Sequence, residues 1–231
     1  FSDLPMEPLV IRAIMVPGSP VAFRPDEPLR LDGILAWCVL KLALNGGTVD
    51  DSPEPLWVPL PLANVWQSPS GQPLWAASAL LPVGDTLESR TAMTKRYDFR
   101  FSHRKYRQSA GRWMDRMKYV ATLTAEVFEA RAIGHRDTVA ALLENITNIG
   151  KHRRRGFGEV AAWEVLSTPF EIQDVFVQDG VLIREIPAVA AHAVGLDAEN
   201  MPPSVDVGWT PPYWLPANRA AGWRVGTRAV S

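Results

Sequence analysis

Nine residues in the second half of the chain have the composition to grip a phosphate backbone: Gly150-Lys151-His152-Arg153-Arg154-Arg155-Gly156-Phe157-Gly158. The glycines permit positive φ and let another backbone approach closely. Between them stand a lysine, a histidine and three consecutive arginines, so amide donors and forked guanidiniums converge at one place. A tight helix-to-strand turn with solvated arginines is the plainer reading, yet such a turn has no need of three arginines in a row. A second basic stretch stands out by charge alone. Residues 90–118 carry ten basic side chains against Asp98 and Asp115, whereas residues 1–89 carry four basic and ten acidic and residues 156–231 four and nine. In a chain of formal net charge −1, that local excess is a surface feature of the kind a polyanion-binding face requires. A solvated or mobile basic loop is the alternative. The candidate contacts in this stretch are Lys95, Arg96, Arg100, His103, Arg104, Lys105, Arg107 and Arg112.

Other phosphate chemistry fits less well. A Walker loop follows a strand and ends in Gly-Lys-Ser/Thr, but here the loop follows a helical pattern and Phe157 stands where the lysine would be. The run Arg155-Gly156-Phe157-Gly158-Glu159-Val160 matches five of the seven specified positions of the RNP-type motif. It fails where a ring should stack a base, since Glu159 and Ala162 replace aromatics. Metal-independent RNA cleavage needs a general base, and the chain offers His103, His135, His152 and His192. His103, beside Arg104, Lys105 and Tyr106, is the best placed of them. His152 suits phosphate contact, His135 opens a helix, and His192 lies in an Ala-rich stretch where core packing is the simpler role. No histidine–cysteine spacing suits zinc, no nucleophile elbow or dinucleotide fingerprint is present, and no cofactor is implied.

These residues must be positioned by short elements. Leu9–Val16 reads as a buried strand stopped by Pro17-Gly18. Asp32 is a plausible N-cap for a helix over Gly33–Leu44, apolar almost all round and so expected to be heavily buried. The Pro-rich residues 48–73 exclude helix. Leu74–Leu81 and Val127–Ile133 read as strands, Arg96–Phe101 alternates as a strand does, and Met117–Ile133 as a whole is ambiguous between strand and helix. Asp137–Asn148 carries Val139, Leu142, Leu143 and Ile146 at helical spacing and runs into the glycine loop. Phe157–Leu166 follows as a strand. Val175–Val177 and Val181–Ile186 flank Gln178-Asp179-Gly180 as a hairpin. The last 40 residues are rich in Pro, Gly and Trp and read as an extension laid over another surface. There, Trp209, Tyr213, Trp214 and Trp223 could stack on bases, those of a target DNA included, or bury against protein, the latter being the commoner fate of tryptophan. The order is that of an α+β protein compatible with a ferredoxin-like, RRM-like core.

At 231 residues, 47% hydrophobic and 21% charged, the chain can bury a substantial core. No run of 18 apolar residues and no signal-peptide pattern is present, so neither a membrane span nor a membrane partner is expected. The single cysteine, Cys38, lies in an apolar run and fits a reduced, cytoplasmic setting.

Several of these segments resemble a known family. Leu142-Leu143-Glu144-Asn145-Ile146-Thr147-Asn148-Ile149-Gly150-Lys151, continuing to Arg155-Gly156-Phe157-Gly158-Glu159-Val160, resembles the glycine-rich loop of RAMP-superfamily proteins. Leu31-Asp32-Gly33-Ile34-Leu35-Ala36, Leu74-Trp75-Ala76-Ala77-Ser78 and Thr94-Lys95-Arg96-Tyr97-Asp98 resemble the Cas-five-like subunit of type IV CRISPR complexes. The resemblance spans residues 10–166 and assigns nothing to 167–231. It implies a ferredoxin-like RAMP core over residues 1–166 with a basic thumb inserted at 90–130, followed by a hairpin and Pro/Trp-rich extension over 167–231. It also implies a non-catalytic subunit that caps the five-prime handle of a guide RNA and contacts the first backbone subunit and the large-like subunit. Residues 150–158 would hold the handle and the basic stretch would grip RNA near the backbone filament. An endoribonuclease of the same superfamily, with His103 as base, is the alternative, although type IV systems commonly rely on a separate processing ribonuclease.

Overall fold

The computed structural model describes residues 5–23, 27–44, 57–95, 116–198, 200–203 and 205–229. The apolar run at the start forms β1 (Glu7–Met15), in which Leu9, Ile11 and Ala13 are fully buried. After the Pro17-Gly18 turn come the short β2 (Val21–Ala22) and β3 (Leu29–Arg30), the latter leading straight into α1 (Leu31–Ala43). β4 (Asn64–Gln67) and β5 (Pro73–Trp75) pair as a hairpin whose tip, Ser68–Gly71, closes on its own hydrogen bonds. β6 (Ala79–Val83) then precedes two long strands, β7 (Leu87–Lys95) and β8 (Arg116–Thr124), which form an antiparallel ribbon. β9 (Val127–Gly134) alternates half-buried and buried residues along its length, and α2 (Arg136–Leu143) and β10 (Val160–Ser167) follow. The rest of the chain holds the hairpin β11 (Val177–Gln178) and β12 (Val181–Leu182), and a small sheet of β13 (Ile186–Pro187), β14 (Val205–Gly208) and β15 (Arg219–Trp223).

The fold class is thus α+β, with mostly antiparallel sheets and two α-helices among the described residues. The principal sheet runs β10-β1-β9-β6-β3, every neighbour antiparallel. Leu9 and Ile11 of β1, Phe128 and Ala130 of β9, Leu35 and Cys38 of α1, and Val139 and Leu143 of α2 share one core. Each fully buried aliphatic or phenyl side chain there contributes about 1.5–3 kcal/mol. Burial also pushes the Cys38 thiol up to about 11, so it stays a neutral apolar filler. A second core gathers Leu74, Phe176, Leu182, Ile186, Trp209 and Trp223, and so ties the residues after β10 to the β4–β5 hairpin.

Several expectations change in detail. Asp32 does not cap α1: Arg30 holds that position, and Asp32 is fully buried because arginine and tyrosine partners reach it from the C-terminal extension. α1 buries only one side, leaving Trp37 37% and Leu42 58% exposed, because the sheet and α2 cover a single face. The Leu74–Leu81 strand is split into β5 and β6 at Ala76–Ser78, where Ala77 bridges to Ala132 instead. The helix over 137–148 ends at Leu143, and the strand over 157–166 starts at Val160, because the intervening residues bond across the neck of the glycine loop. The hairpin at Asp179-Gly180 forms, with φ of 51° and 72°, but its strands are only two residues each. The alternating segment Arg96–Phe101 lies outside the described residues.

Candidate nucleic-acid interface

α2 begins at His135, whose side chain accepts a hydrogen bond from the Thr138 amide at 3.2 Å. Beyond its end, Ile146 and Ile149 return to the core, so the chain leaves the helix pinned to the protein body. The neck of the glycine loop is closed by Ile149 N donating to Gly158 O (2.8 Å) and Asn148 Nδ2 donating to Phe157 O (3.0 Å). The loop lies flat on residues 19–22: Lys151 N donates to Ala22 O (2.7 Å), Gly158 N to Pro20 O (2.9 Å), and Glu159 N to Ser19 Oγ (2.8 Å). This close approach explains two of the glycines. Both have positive φ, and a Cβ would meet Ala22 O at 2.6 Å from Gly150 and Ile149 O at 2.0 Å from Gly158.

At the tip, His152 (φ 59°) and Gly156 (φ 80°) are both left-handed and bracket one 3₁₀ turn, Arg153–Arg155. With three residues per turn, successive side chains fan around the axis rather than share a face. All three arginines are exposed. Among the described residues neither Arg154 nor Arg155 has a carboxylate within ion-pair distance, whereas Lys151 pairs with Glu27. Phe157 is buried, its ring packed with Ala22, Val120 and Met93. It anchors the loop and does not face solvent.

Through that anchor the loop meets the base of the ribbon. Val21 and Ala22 pair with Leu123 and Thr122 of β8, which in turn pairs with β7 as far as Lys95 opposite Arg116. The loop and the β7–β8 ribbon, far apart in sequence, are therefore neighbours through β2. The ribbon is held on its inner face by a Ser89–Thr122 hydroxyl contact of 2.7 Å, while Leu87, Met117 and Tyr119 are exposed. Arg96, Arg100, His103, Arg104, Lys105, Arg107 and Arg112 lie outside the described residues.

The remaining histidines separate by role. His135 is a helix cap, with Nδ1 2.5 Å from Thr138 Oγ1. His152 is exposed on the loop. His192 is exposed rather than packed, because its 3₁₀ turn directs Ala191 and Val194 inward. Among the described residues no three His, Cys, Asp or Glu side chains are grouped as metal ligands would be.

A buried ionic knot, which the sequence reading missed, joins α1 to the extension. Arg184 donates to Asp32 Oδ2 (2.7 Å) and Trp209 O (2.8 Å) and also to Ala77 O. The Tyr213 hydroxyl donates to Asp32 Oδ1, and Arg30, paired with Glu185 at 2.7 Å, lies 4.2 Å over the Tyr213 ring. Burial opposes the Arg184 charge, but Asp32 overrides it and holds the guanidinium cationic. Burial, together with the Asp32 charge, pushes the Tyr213 hydroxyl well above the usual phenol range. Of the extension's aromatics, Trp209 and Trp223 are core residues and Trp214 is 68% exposed.

The glycine loop, β8 and the extension's side of the knot fall within one matched region, whereas β7, residues 19–22, Arg30 and Asp32 precede it. A family model described as CRISPR type IV associated protein Csf3 matches residues 104–223, just over half of the 231-residue chain. The chain belongs to the Csf3 family. It is therefore a Cas5-like component of a type IV CRISPR complex, which places guide RNA and other Csf subunits among its partners. The Csf3 match carries the resemblance past residue 166, through the extension to Trp223, whereas the N-terminal segments 31–36, 74–78 and 94–98 lie outside it. A search of curated proteins found no match. Among the described residues of this Csf3-family chain, no helix is long and apolar enough to cross a membrane.

Proposed function

We propose that this chain is the non-catalytic subunit that caps the five-prime handle of the guide RNA, with residues 150–158 as the grip. The observation that carries the reading is the tip of the glycine loop: three exposed arginines fanned by one 3₁₀ turn, on a backbone fixed to residues 19–22. A rigid base with exposed guanidiniums suits an irregular single strand better than a flat surface does. The sheet order β10-β1-β9-β6, built by strand–helix–strand–strand–helix–strand, supports a ferredoxin-like core for this role. In that reading the β7–β8 ribbon is the stem of the thumb, and its exposed Leu87, Met117 and Tyr119 suit contact with the first backbone subunit. The large-like subunit is the other expected neighbour.

The test is a gel shift with labelled repeat RNA, comparing five-prime handle, three-prime hairpin and scrambled sequence, alongside a denaturing gel for cleavage. Handle preference without cleavage is the expected result, with affinity falling steeply as salt rises. The triple variant Arg153→Ala/Arg154→Ala/Arg155→Ala should lose several kcal/mol of handle affinity, since each charge-assisted hydrogen bond is worth about 1.5–3 kcal/mol. RNA retention by the triple variant, in isolation and in the assembled complex, would overturn the loop assignment. Metal-independent cleavage abolished by His103→Ala would replace capping with processing.

A further inference from the structure

Trp37 belongs to no feature the sequence reading singled out, and its surroundings are unusual. It projects from α1 at the point where two grooves meet. One, of about 320 Å³, runs between α1 and the glycine loop, lined by Ile34, Asn148, Gly150 and Arg153. The other, of about 540 Å³, runs between α1 and the extension, lined by Leu40, Tyr213, Trp214 and Arg219. Trp37 lines both. Two cations lie over its ring: Lys41 Nζ and Arg153 Cζ are each 5.0 Å from the centroid. The ring keeps 37% of its surface open to both grooves.

We propose that Trp37 is a stacking platform for one unpaired nucleobase of the bound RNA, with the phosphates on either side of that nucleotide held by Arg153 and Lys41. The inference rests on the handle-binding reading and deepens it. A partly open aromatic ring covered by two long, exposed cations is complementary to a nucleotide: a base takes a cation's place on the ring as that cation turns to the anionic phosphate. An aliphatic protein segment would use the ring but leave the cations unmatched, and an acidic segment would use the cations but not the ring. Arg153 links the two functions, because it belongs to the loop tip and also lies over the Trp37 ring. A strand gripped at the loop would thus enter the groove beside Trp37 and continue toward the exposed Trp214.

The experiment is a cycle on binding of the labelled five-prime handle to the full chain. Trp37→Ala and Trp37→Phe are combined with handles carrying a single abasic site at each position in turn. Trp37→Ala should weaken the intact handle about 5- to 150-fold, the range for loss of one base–aromatic stack, and Trp37→Phe should recover much of it. At one position the abasic RNA should bind wild type as weakly as intact RNA binds Trp37→Ala, and the two changes together should cost no more than either. Equal weakening of intact and abasic RNA at every position overturns the stacking assignment. So does an unchanged affinity for Trp37→Ala while the triple arginine variant loses RNA, an outcome that leaves the handle reading standing. Loss of a partner subunit from the Trp37→Ala complex with normal RNA affinity would assign the ring to a protein contact instead.

Discussion

Arg184 and Arg154 carry the same side chain into opposite surroundings. Arg184 is buried and donates to Asp32, to Ala77 O and to Trp209 O, so its charge is matched inside the fold. Arg154 sits on a 3₁₀ turn in solvent, and no described carboxylate meets it. Removing a guanidinium from water costs several kcal/mol, and only a matched carboxylate and carbonyls make that tolerable. Once matched and buried, it is out of a ligand's reach. The exposed arginine has bonded to water alone and exchanges that water for phosphate at little cost. The contrast separates joint from proposed grip: Arg30 and Arg184 hold α1 to the extension, whereas Arg153, Arg154 and Arg155 are exposed.

The sharpest way to break this division is at the joint. Arg184→Ala strands the Asp32 charge in a buried site, with the Tyr213 hydroxyl and the Gly33 amide left on Oδ1 and the guanidinium gone from Oδ2. The expected loss is about 3–5 kcal/mol of unfolding free energy, read by chemical denaturation. Arg184→Met combined with Asp32→Asn should recover part of it, because the orphaned charge is gone. Handle affinity, corrected for the folded fraction, should not change. A loss below about 1 kcal/mol would mean the extension does not depend on the knot.

Next in size is the platform beneath the grip. Gly158 and Gly156 both have positive φ, but an added Cβ lies 2.0 Å from Ile149 O at Gly158 and meets only Glu159 Oε1, at 3.6 Å, at Gly156. Gly156→Ala should cost about 1 kcal/mol from backbone handedness alone. Gly158→Ala must also break the neck of the loop, so about 2–3 kcal/mol is expected, together with a drop in handle affinity as the arginines lose their fixed base. Equal effects at the two positions would show that backbone strain, not the close approach to Ile149 at the neck, is what the glycines answer to.

How much of this was legible beforehand follows the same line between local and distant. The shape of the glycine loop was readable because its residues are contiguous: three glycines within nine residues signal a turn, and all three have positive φ. The amphipathic α2 and the buried β1 and β9 were readable from periodicity. The knot was not, because Asp32 and Arg184 are 152 residues apart and each alone looks like a solvated charge. Asp32 even has the local signature of a helix cap, and tertiary pairing overrode it. The one-sided burial of α1 was equally hidden, since an all-apolar helix carries no sign of which face stays open. A faint local signal for Trp37 existed: Lys41 is its i+4 neighbour, the spacing at which a helical cation reaches an aromatic ring. The β7 strand went unread because Leu87–Lys95 mixes small, polar and charged residues, and it forms only because β8 supplies its hydrogen bonds.

The smallest expected effect completes the comparison from the side of the grip. Arg154→Ala should change unfolding free energy by no more than about 0.5 kcal/mol, since an exposed side chain without a partner among the described residues gives the fold nothing to lose. The same variant should weaken the handle by about 1.5–3 kcal/mol, the value of one charge-assisted bond. The pair of measurements discriminates in a way that neither does alone. A residue that matters for RNA but not for folding behaves as a contact, and one that matters equally for both behaves as part of the scaffold. If Arg154→Ala lowers stability by as much as it lowers affinity, the loop tip is itself a structural element, and the line drawn between Arg184 and Arg154 disappears.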